Sequence, residues 1–265
     1  MRTTTTPPED LRGRTALVTG ASTGIGAEFA ERLAQAGVHL VIVARSKAAL
    51  EARARDLREQ YGVDVLPIAL DLSVPGAAAD LIRAVTAADI YVDVLVNNAG
   101  VTVIGSVATA DPAATSSMVG VNVTALTELT VHFLKPMVDR QRGTIVNVAS
   151  NVAFQPAPYL AVYSATKAYV LSFTQALWAE NRDTGVRVLA LCPGRTETPM
   201  NSGAGRGKRT PRQVVDTAMA ALATDKFSVV DGTANAVIAR AFSQRFPSRA
   251  VLAVAERFAR PSPPR

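Results

Sequence analysis

Short apolar segments rich in β-branched residues alternate with helical patterns along most of this chain. Each segment is a continuous hydrophobic run, which is typical of a strand buried on both faces of a parallel sheet. Strands are predicted at residues 15–19, 39–44, 64–69, 92–96, 143–149 and 186–192, with a candidate seventh at 227–230. Helices are predicted over 25–36, 47–60, 77–87, 112–138 and 162–181. The alternation predicts an α/β fold, with helices on both faces of a doubly wound parallel sheet.

Composition excludes several kinds of site. The chain has 265 residues, of which 48% are hydrophobic, so it can bury a full core. Cys192 is the only cysteine, which rules out an internal disulfide, and no Cys/His cluster suggests a metal site. Neither His39 nor His132 lies in a sequence context typical of a hydrolase triad.

The two ends of the chain differ from the middle. Residues 1–11, with four threonines and two prolines, are expected to form a disordered lead-in to one domain over 12–265. No apolar leader or membrane-length apolar run is present, so a cytoplasmic location is expected.

Basic residues concentrate near the C-terminus. Residues 201–265 hold 11 Lys/Arg and 4 Asp/Glu, against 17 and 18 in residues 1–200. They lie between apolar helical positions and lack aromatic platforms, so nucleic acid is not expected as a partner. Residues 234–260 are predicted to be helical, over 234–245 and 248–260. Their apolar side could pack on protein or lie on an anionic membrane, and packing is favoured.

A glycine-rich turn follows the first predicted strand and leads into the first helix. It contains Gly20, Gly24 and Gly26. Glycines let a backbone approach a pyrophosphate closely, and the helix N-terminus attracts the negative charge. The alternative is a simple tight turn between strand and helix.

Tyr163 and Lys167 are four residues apart on a predicted helix and therefore share one face. A nearby cation lowers the pKa of a phenol, which would let Tyr163 exchange a proton with an alcohol or a carbonyl. Taken alone, the pair is better explained as an ordinary solvated pair on a helix, and only the rest of the chain favours the catalytic interpretation.

Six stretches in order resemble the short-chain dehydrogenase/reductase family (SDR). They span about residues 12–200 and are Thr19-Gly20-(x)3-Gly24-x-Gly26, Asn97-Asn98-Ala99-Gly100, Asn122, Ser150, Tyr163-(x)3-Lys167 and Pro193-Gly194. Residues 29–50 also resemble the branch that includes bacterial DltE-type oxidoreductases and 17β-hydroxysteroid dehydrogenases. The resemblance implies a Rossmann-type sheet with strand order 3-2-1-4-5-6-7.

The resemblance also implies the catalytic roles. Tyr163 would be the general acid and base, Lys167 would lower its pKa and bind the nicotinamide ribose, and Ser150 would donate to the substrate oxygen. Asn122 would hold a water that connects Lys167 to solvent. The alternatives are that Ser150 caps a turn and that Asn122 bonds to its own helix backbone.

The implied cofactor contacts come from the ends of the strands. Asp71 would accept a hydrogen bond from the adenine amino group, unless it only stabilises a turn, and Thr196 and Thr198 would face the nicotinamide carboxamide. The full set is Gly20, Ser22, Thr23, Gly24, Ile25, Gly26, Arg45, Ser46, Asp71, Leu72, Asn98, Ala99, Gly100, Tyr163, Lys167, Pro193, Gly194, Thr196 and Thr198.

The end of the second strand favours NADP(H) over NAD(H). An NAD site usually carries an acid there, but no Asp or Glu occurs between Gly37 and Leu50. Arg45 can bind a 2′-phosphate, with Ser22, Thr23 and Ser46 as further donors. The alternative is that Arg45 only points into water.

These residues together predict an NADPH-dependent reductase of ketones, or a dehydrogenase of secondary alcohols in reverse. A non-catalytic NADP(H)-binding scaffold and an epimerase are the alternatives. Residues 200–210 contain three glycines and are expected to form a flexible substrate loop, although a loop without a substrate role fits equally well. A homodimer or homotetramer is implied, with pairing through helices 112–138 and 162–181.

Overall fold

Seven parallel strands form one sheet in the order β3-β2-β1-β4-β5-β6-β7. The structure is a computed structural model and describes residues 11–201, 207–233 and 235–237. The strands are β1 Thr15–Thr19, β2 His39–Ala44, β3 Val65–Ala69, β4 Val94–Asn97, β5 Gly143–Val148, β6 Val186–Cys192 and β7 Ser228–Val230. This order confirms the Rossmann-type, doubly wound sheet.

Helices cover both faces of the sheet. They are α1 Gly24–Gln35, α2 Lys47–Tyr61, α3 Ala77–Ala87, α4 Pro112–Val119, α5 Leu126–Asp139, α6 Ala161–Glu180 and α7 Pro211–Leu222. Side chains of α1, α2 and α7 join one buried apolar cluster, and those of α3, α5 and α6 join another on the opposite face. Successive residues of β1 show the period of two: Ala16 and Val18 lie in the first cluster and Leu17 in the second.

The structure corrects the helix prediction for residues 112–138. A π-helical segment, Gly120–Ala125, separates α4 from α5 within this stretch. Periodicity alone did not reveal it, because the apolar pattern continues through the segment.

Helix α7 is absent from the sequence prediction, although its start carries a clear signal. Thr210 and Gln213 form a reciprocal capping box, and Pro211 stands at the first helical position. The buried side chains Val214, Val215 and Ala218 then hold the helix against the sheet.

Several predictions fall outside the described residues. These are the lead-in up to residue 10, residues 202–206 of the substrate loop, and the C-terminal segment beyond residue 237. Within the described part of that segment, residues 235–237 are helical, and the amide of Ala236 donates to the Gly232 carbonyl at 3.0 Å.

Candidate active site

The glycine turn after β1 has a backbone that other residues would distort. Gly20 and Gly24 have φ values of +66° and +59°, which residues with side chains rarely adopt. A side chain at Gly26 would collide with the Gly20 carbonyl, so α1 begins in direct contact with the end of β1. A dinucleotide site uses its glycines in these ways, for a tight turn and for close packing of helix on strand.

The N-terminus of α1 has the properties of an anion site. Thr23 caps the helix without a hydrogen bond from its side chain, which leaves the first amide groups directed out of the helix end. Thr23 is exposed and Ser22 partly buried, while Ile25 packs against the core. The backbone of this turn, together with the two hydroxyls, is therefore the part that a phosphate could reach.

A hydrogen-bonded junction joins this turn to the end of β4. The Asn98 side-chain amide donates to the carbonyls of Thr19 and Gly20 at 2.9 and 3.2 Å. The Thr19 hydroxyl accepts from the backbone amides of Asn98 and Ala99, each at 3.0 Å. The ends of β1 and β4 are thus held as one unit at the carboxyl edge of the sheet.

Ser150 and Tyr163 meet beside this junction. Ser150 follows β5 and is buried, and its side chain lies close enough to Tyr163, near the start of α6, to offset part of the rise that burial causes in the pKa of that phenol. The Ser150 hydroxyl also accepts from the Val152 amide at 3.3 Å and so caps a short 3₁₀ turn. Ser150 therefore caps this turn and contacts Tyr163 at the same time.

Lys167 lies one helical turn beyond Tyr163 and is almost fully buried. Its Nζ donates to the Val148 carbonyl at 2.8 Å and lies 5.9 Å from the centre of the Tyr163 ring. A methyl group on Gly100 would lie 3.4 Å from this Nζ and 3.3 Å from the Asn122 side-chain oxygen. The end of β4, the π-helical segment and α6 therefore converge on one small polar site.

Asn122 holds neighbouring segments rather than its own helix. Its side-chain oxygen accepts from the Val101 amide at 2.9 Å, and its nitrogen donates to the Val101 carbonyl at 3.0 Å and to the Thr166 hydroxyl at 3.1 Å. The alternative of a bond to its own helix is therefore wrong. Asn122 lies in the π-helical segment, and such segments are frequent at functional sites. Its role in holding a water stays a prediction.

The expected effect of Lys167 on Tyr163 is not found. Burial raises the pKa of Tyr163, and only the interaction with the Ser150 side chain opposes this shift. Burial also lowers the pKa of Lys167 to about 8, because the low-dielectric surroundings disfavour its charge. The phenol is thus held protonated at neutral pH, as a proton donor must be.

The lowered pKa of Lys167 predicts how the stability of the protein depends on pH. Its pKa of about 8 lies below the ordinary 10.5, so above pH 8 the unfolded chain binds a proton that the folded chain lacks, and stability rises with pH. Burial of the Cys192 thiol raises its pKa from 9.0 to about 12, so this thiol lowers stability as the pH rises through 9. Comparison with Lys167→Met separates the effect of Lys167 from this opposing effect between pH 8 and 9. Lys167→Met should abolish a rise of about 1 kcal/mol in the free energy of unfolding over that interval.

Urea unfolding of both proteins at pH 7.5, 8, 8.5 and 9 measures this difference. Groups that titrate identically in the two proteins cancel. An equal slope of stability against pH in wild type and Lys167→Met would show that Lys167 is not titrating in this range.

The expected adenosine contacts lie at the ends of β2 and β3. Arg45 is exposed, and the Ser46 hydroxyl caps α2 by accepting from the Ala49 amide at 3.3 Å. The Ser73 backbone amide, with a smaller contribution from the Arg45 guanidinium, holds the pKa of Asp71 below its usual range. The Leu72 side chain is buried in the core. The Arg45 guanidinium thus lies near enough to Asp71, at the ends of β2 and β3, to affect the pKa of this carboxyl.

The segment after β6 reaches across to the glycine turn. The Pro193 carbonyl accepts from the Asn151 amide at 2.8 Å, and the buried Thr196 donates to the Gly194 carbonyl at 3.2 Å. A methyl group on Gly24 would lie 2.8 Å from the Thr198 side-chain methyl. Thr198 therefore packs against the same turn that could hold a pyrophosphate.

Sequence reasoning missed a buried polar network beneath the site. The Asn97 side chain donates to Thr130 and to the Asn147 side-chain oxygen, both at 2.9 Å, and Asn147 donates to Thr174 at 3.0 Å. These bonds fasten β4 and β5 to α5 and α6. The signal was available, since an asparagine near the end of a buried apolar strand needs a hydrogen-bond partner.

Comparison with known proteins agrees with this architecture. The short chain dehydrogenase family profile matches residues 14–209. The chain belongs to the short-chain dehydrogenase family. A putative ketoacyl reductase of Streptomyces coelicolor is 42% identical over 188 residues, which cover 70% of this chain and 71% of the relative. Assignment to the DltE-like branch stays a prediction.

Solved structures of oxidoreductases have the same fold. A 7β-hydroxysteroid dehydrogenase matches with a TM-score of 0.87 at 26% identity, covering 94% of this chain and 99% of the other. A short-chain dehydrogenase from Sphingobium yanoikuyae in complex with NADPH matches with a TM-score of 0.77 at 31% identity, covering 89% and 97%. Among the residues that the structure describes here, no helix has both the length and the hydrophobicity of a membrane span.

Proposed function

We propose that this protein is an NADPH-dependent carbonyl reductase that converts ketones to secondary alcohols and can run in reverse as an alcohol dehydrogenase. The observation that carries the proposal is the meeting of Ser150, Tyr163 and Lys167 at the carboxyl edge of β5, beside the glycine turn. Ligands of open α/β sheets bind at this edge. The ketoacyl reductase relative and the NADPH-bound structure support the same reaction class.

Tyr163 would act as the general acid in reduction. A nicotinamide held at this site would supply the hydride, with its two electrons, to the carbonyl carbon. The Tyr163 hydroxyl gives a proton to the carbonyl oxygen, and the Ser150 hydroxyl donates a hydrogen bond to the same oxygen as negative charge develops. The raised pKa of Tyr163 keeps that proton in place until the oxygen becomes basic. Lys167, buried one turn away, would hold the nicotinamide ribose and return a proton to the phenolate.

The cofactor proposed is NADP(H), and the residues fit it. The glycine turn provides a backbone cradle at the N-terminus of α1. Arg45 is exposed and close enough to Asp71 to lower its pKa, so a cation stands at the end of β2 where an NAD site usually has an acid. The guanidinium can bind a phosphate through two parallel hydrogen bonds.

A screen of ketones with NADPH, and of alcohols with NADP, tests the activity through absorbance of the reduced nicotinamide. The substrates should range from small ketones to bulky ketones, steroids and 3-oxoacyl thioesters. Tight NADPH binding without turnover of any member would favour the non-catalytic scaffold instead.

We also propose a homodimer or homotetramer that pairs through α5 and α6. Val131 on α5 is 62% exposed and Tyr169 on α6 is 39% exposed, so both helices present large apolar groups to solvent in the isolated chain. Val131→Glu should therefore shift the protein to monomers at micromolar concentration, because it places a charge in the apolar contact.

Light scattering coupled to gel filtration measures this change. Val107→Glu serves as a control for the added carboxylate, because Val107 is 60% exposed and lies before α4, outside α5 and α6. A wild-type monomer at micromolar concentration would refute the proposed assembly.

A further inference from the structure

Asp231 is a fully buried carboxylate at the end of β7 that connects three parts of the fold. Its backbone amide donates to the Cys192 carbonyl at 3.1 Å, which ties it to the end of β6. One carboxylate oxygen accepts from the Thr217 hydroxyl of α7 at 2.7 Å. The other lies 2.7 Å from Nε of Arg209. A carboxylate without solvent requires such partners, since an unpaired buried charge is strongly unfavourable.

The main chain of Arg209 in turn aligns the segment that follows β6. Its amide donates to the Arg195 carbonyl at 3.0 Å, and its carbonyl accepts from the Glu197 amide at 2.9 Å. These two bonds form a short parallel bridge in which Thr196 faces Arg209. The position of Arg209 therefore sets the course of residues 195–197.

This segment carries the two threonines expected at the nicotinamide. Thr196 is buried and donates to the Gly194 carbonyl, and Thr198 packs against Gly24 of the glycine turn. A physical path thus runs from the Asp231 carboxylate through the Arg209 side chain and backbone to both threonines. Neither Asp231 nor Arg209 is among the expected cofactor contacts.

We propose that the ion pair between the partly buried Arg209 and the buried Asp231 positions Thr196 and Thr198 for the nicotinamide half of the cofactor. This inference rests on the proposed NADP(H) site, and it makes Arg209 and Asp231 positioning residues rather than catalytic ones. An ion pair that holds residues 195–198 in place before the cofactor binds favours binding, because no conformational entropy is then lost in ordering this segment.

Two ligands separate this role from a general structural one. NADPH carries the nicotinamide half, whereas 2′-phospho-ADP-ribose lacks the nicotinamide ring. Arg209→Gln should weaken NADPH binding by roughly tenfold or more, in line with the cost of misplacing a binding group, and change the affinity for 2′-phospho-ADP-ribose by less than about twofold. The double variant Arg209→Gln/Asp231→Asn should show the same losses as Arg209→Gln. In the double variant the side chain at position 231 would be a neutral amide, so no unpaired charge is left buried. Arg212→Gln is the control, since Arg212 lies on the exposed first turn of α7.

Fluorescence titration of each protein with both ligands measures these affinities. Unchanged NADPH affinity in the double variant would overturn the inference, as would an equal loss for both ligands. Amide hydrogen exchange of the wild-type protein tests it without any variant: the amides of Glu197 and Arg209 should exchange slowly, and exchange at the rate of an unstructured peptide would also overturn it. Failure of the proposed function would give a different result: the wild-type protein would bind NADPH but would not turn over any substrate.

Discussion

Tyr163→Phe is expected to lower kcat for ketone reduction by about 10²- to 10⁴-fold, the range that a positioned general acid supplies. The substitution removes the hydroxyl that carries the transferable proton and leaves the ring in place. Ser150 loses its interaction with the hydroxyl, but its hydrogen bonds with the Asn151 side chain and the Val152 amide remain. The fold and the affinity for NADPH should therefore change little. Steady-state kinetics, NADPH titration and thermal unfolding of the same preparation measure the three quantities.

Tyr169→Phe is a matched control for this experiment. It removes a tyrosine hydroxyl from the same helix, and that hydroxyl forms an exposed hydrogen bond with the Thr127 side chain at 2.9 Å. This variant should retain the wild-type kcat. Near-wild-type reduction by Tyr163→Phe would mean that the proton comes from another group, and the proposed mechanism would fail.

The strands could be predicted closely because each is a local pattern. The bounds of β1, β2 and β6 agree with the prediction, since an uninterrupted apolar run begins and ends where the buried strand does. The glycine turn could also be predicted from the sequence. Gly20 and Gly24 have positive φ values, which few residues other than glycine adopt, so the turn is marked by its glycines. The strand order, by contrast, came from resemblance to a family and not from the patterns themselves.

The features that were missed depend on partners far along the chain. Asp231 looks like an ordinary turn residue in sequence, yet its partners Arg209 and Thr217 come from a loop and a helix that precede it. The predicted direction of the shift in the Tyr163 pKa was wrong for a similar reason. The i, i+4 spacing gave the proximity of Lys167, but it did not show that burial would dominate or that the ammonium group would turn to the Val148 carbonyl.

Arg45→Asp is expected to reverse the cofactor preference. The change removes the charged donor proposed for the 2′-phosphate, and hydrogen bonds to a charged group contribute about 1.5–3 kcal/mol, so kcat/KM for NADPH should fall by about 10- to 100-fold. The new carboxylate would also repel the phosphate and could accept from the ribose 2′-hydroxyl of NADH, which should raise kcat/KM for NADH.

The ratio of kcat/KM for the two cofactors, measured with one ketone, is the readout. Arg55→Asp provides the control, because it makes the same charge change at another exposed position, on α2, and should leave the ratio unaltered. An unchanged ratio in Arg45→Asp would place the 2′-phosphate contact elsewhere. The Ser22 and Thr23 hydroxyls of the glycine turn would be examined next, since they are the remaining neutral donors near the N-terminus of α1.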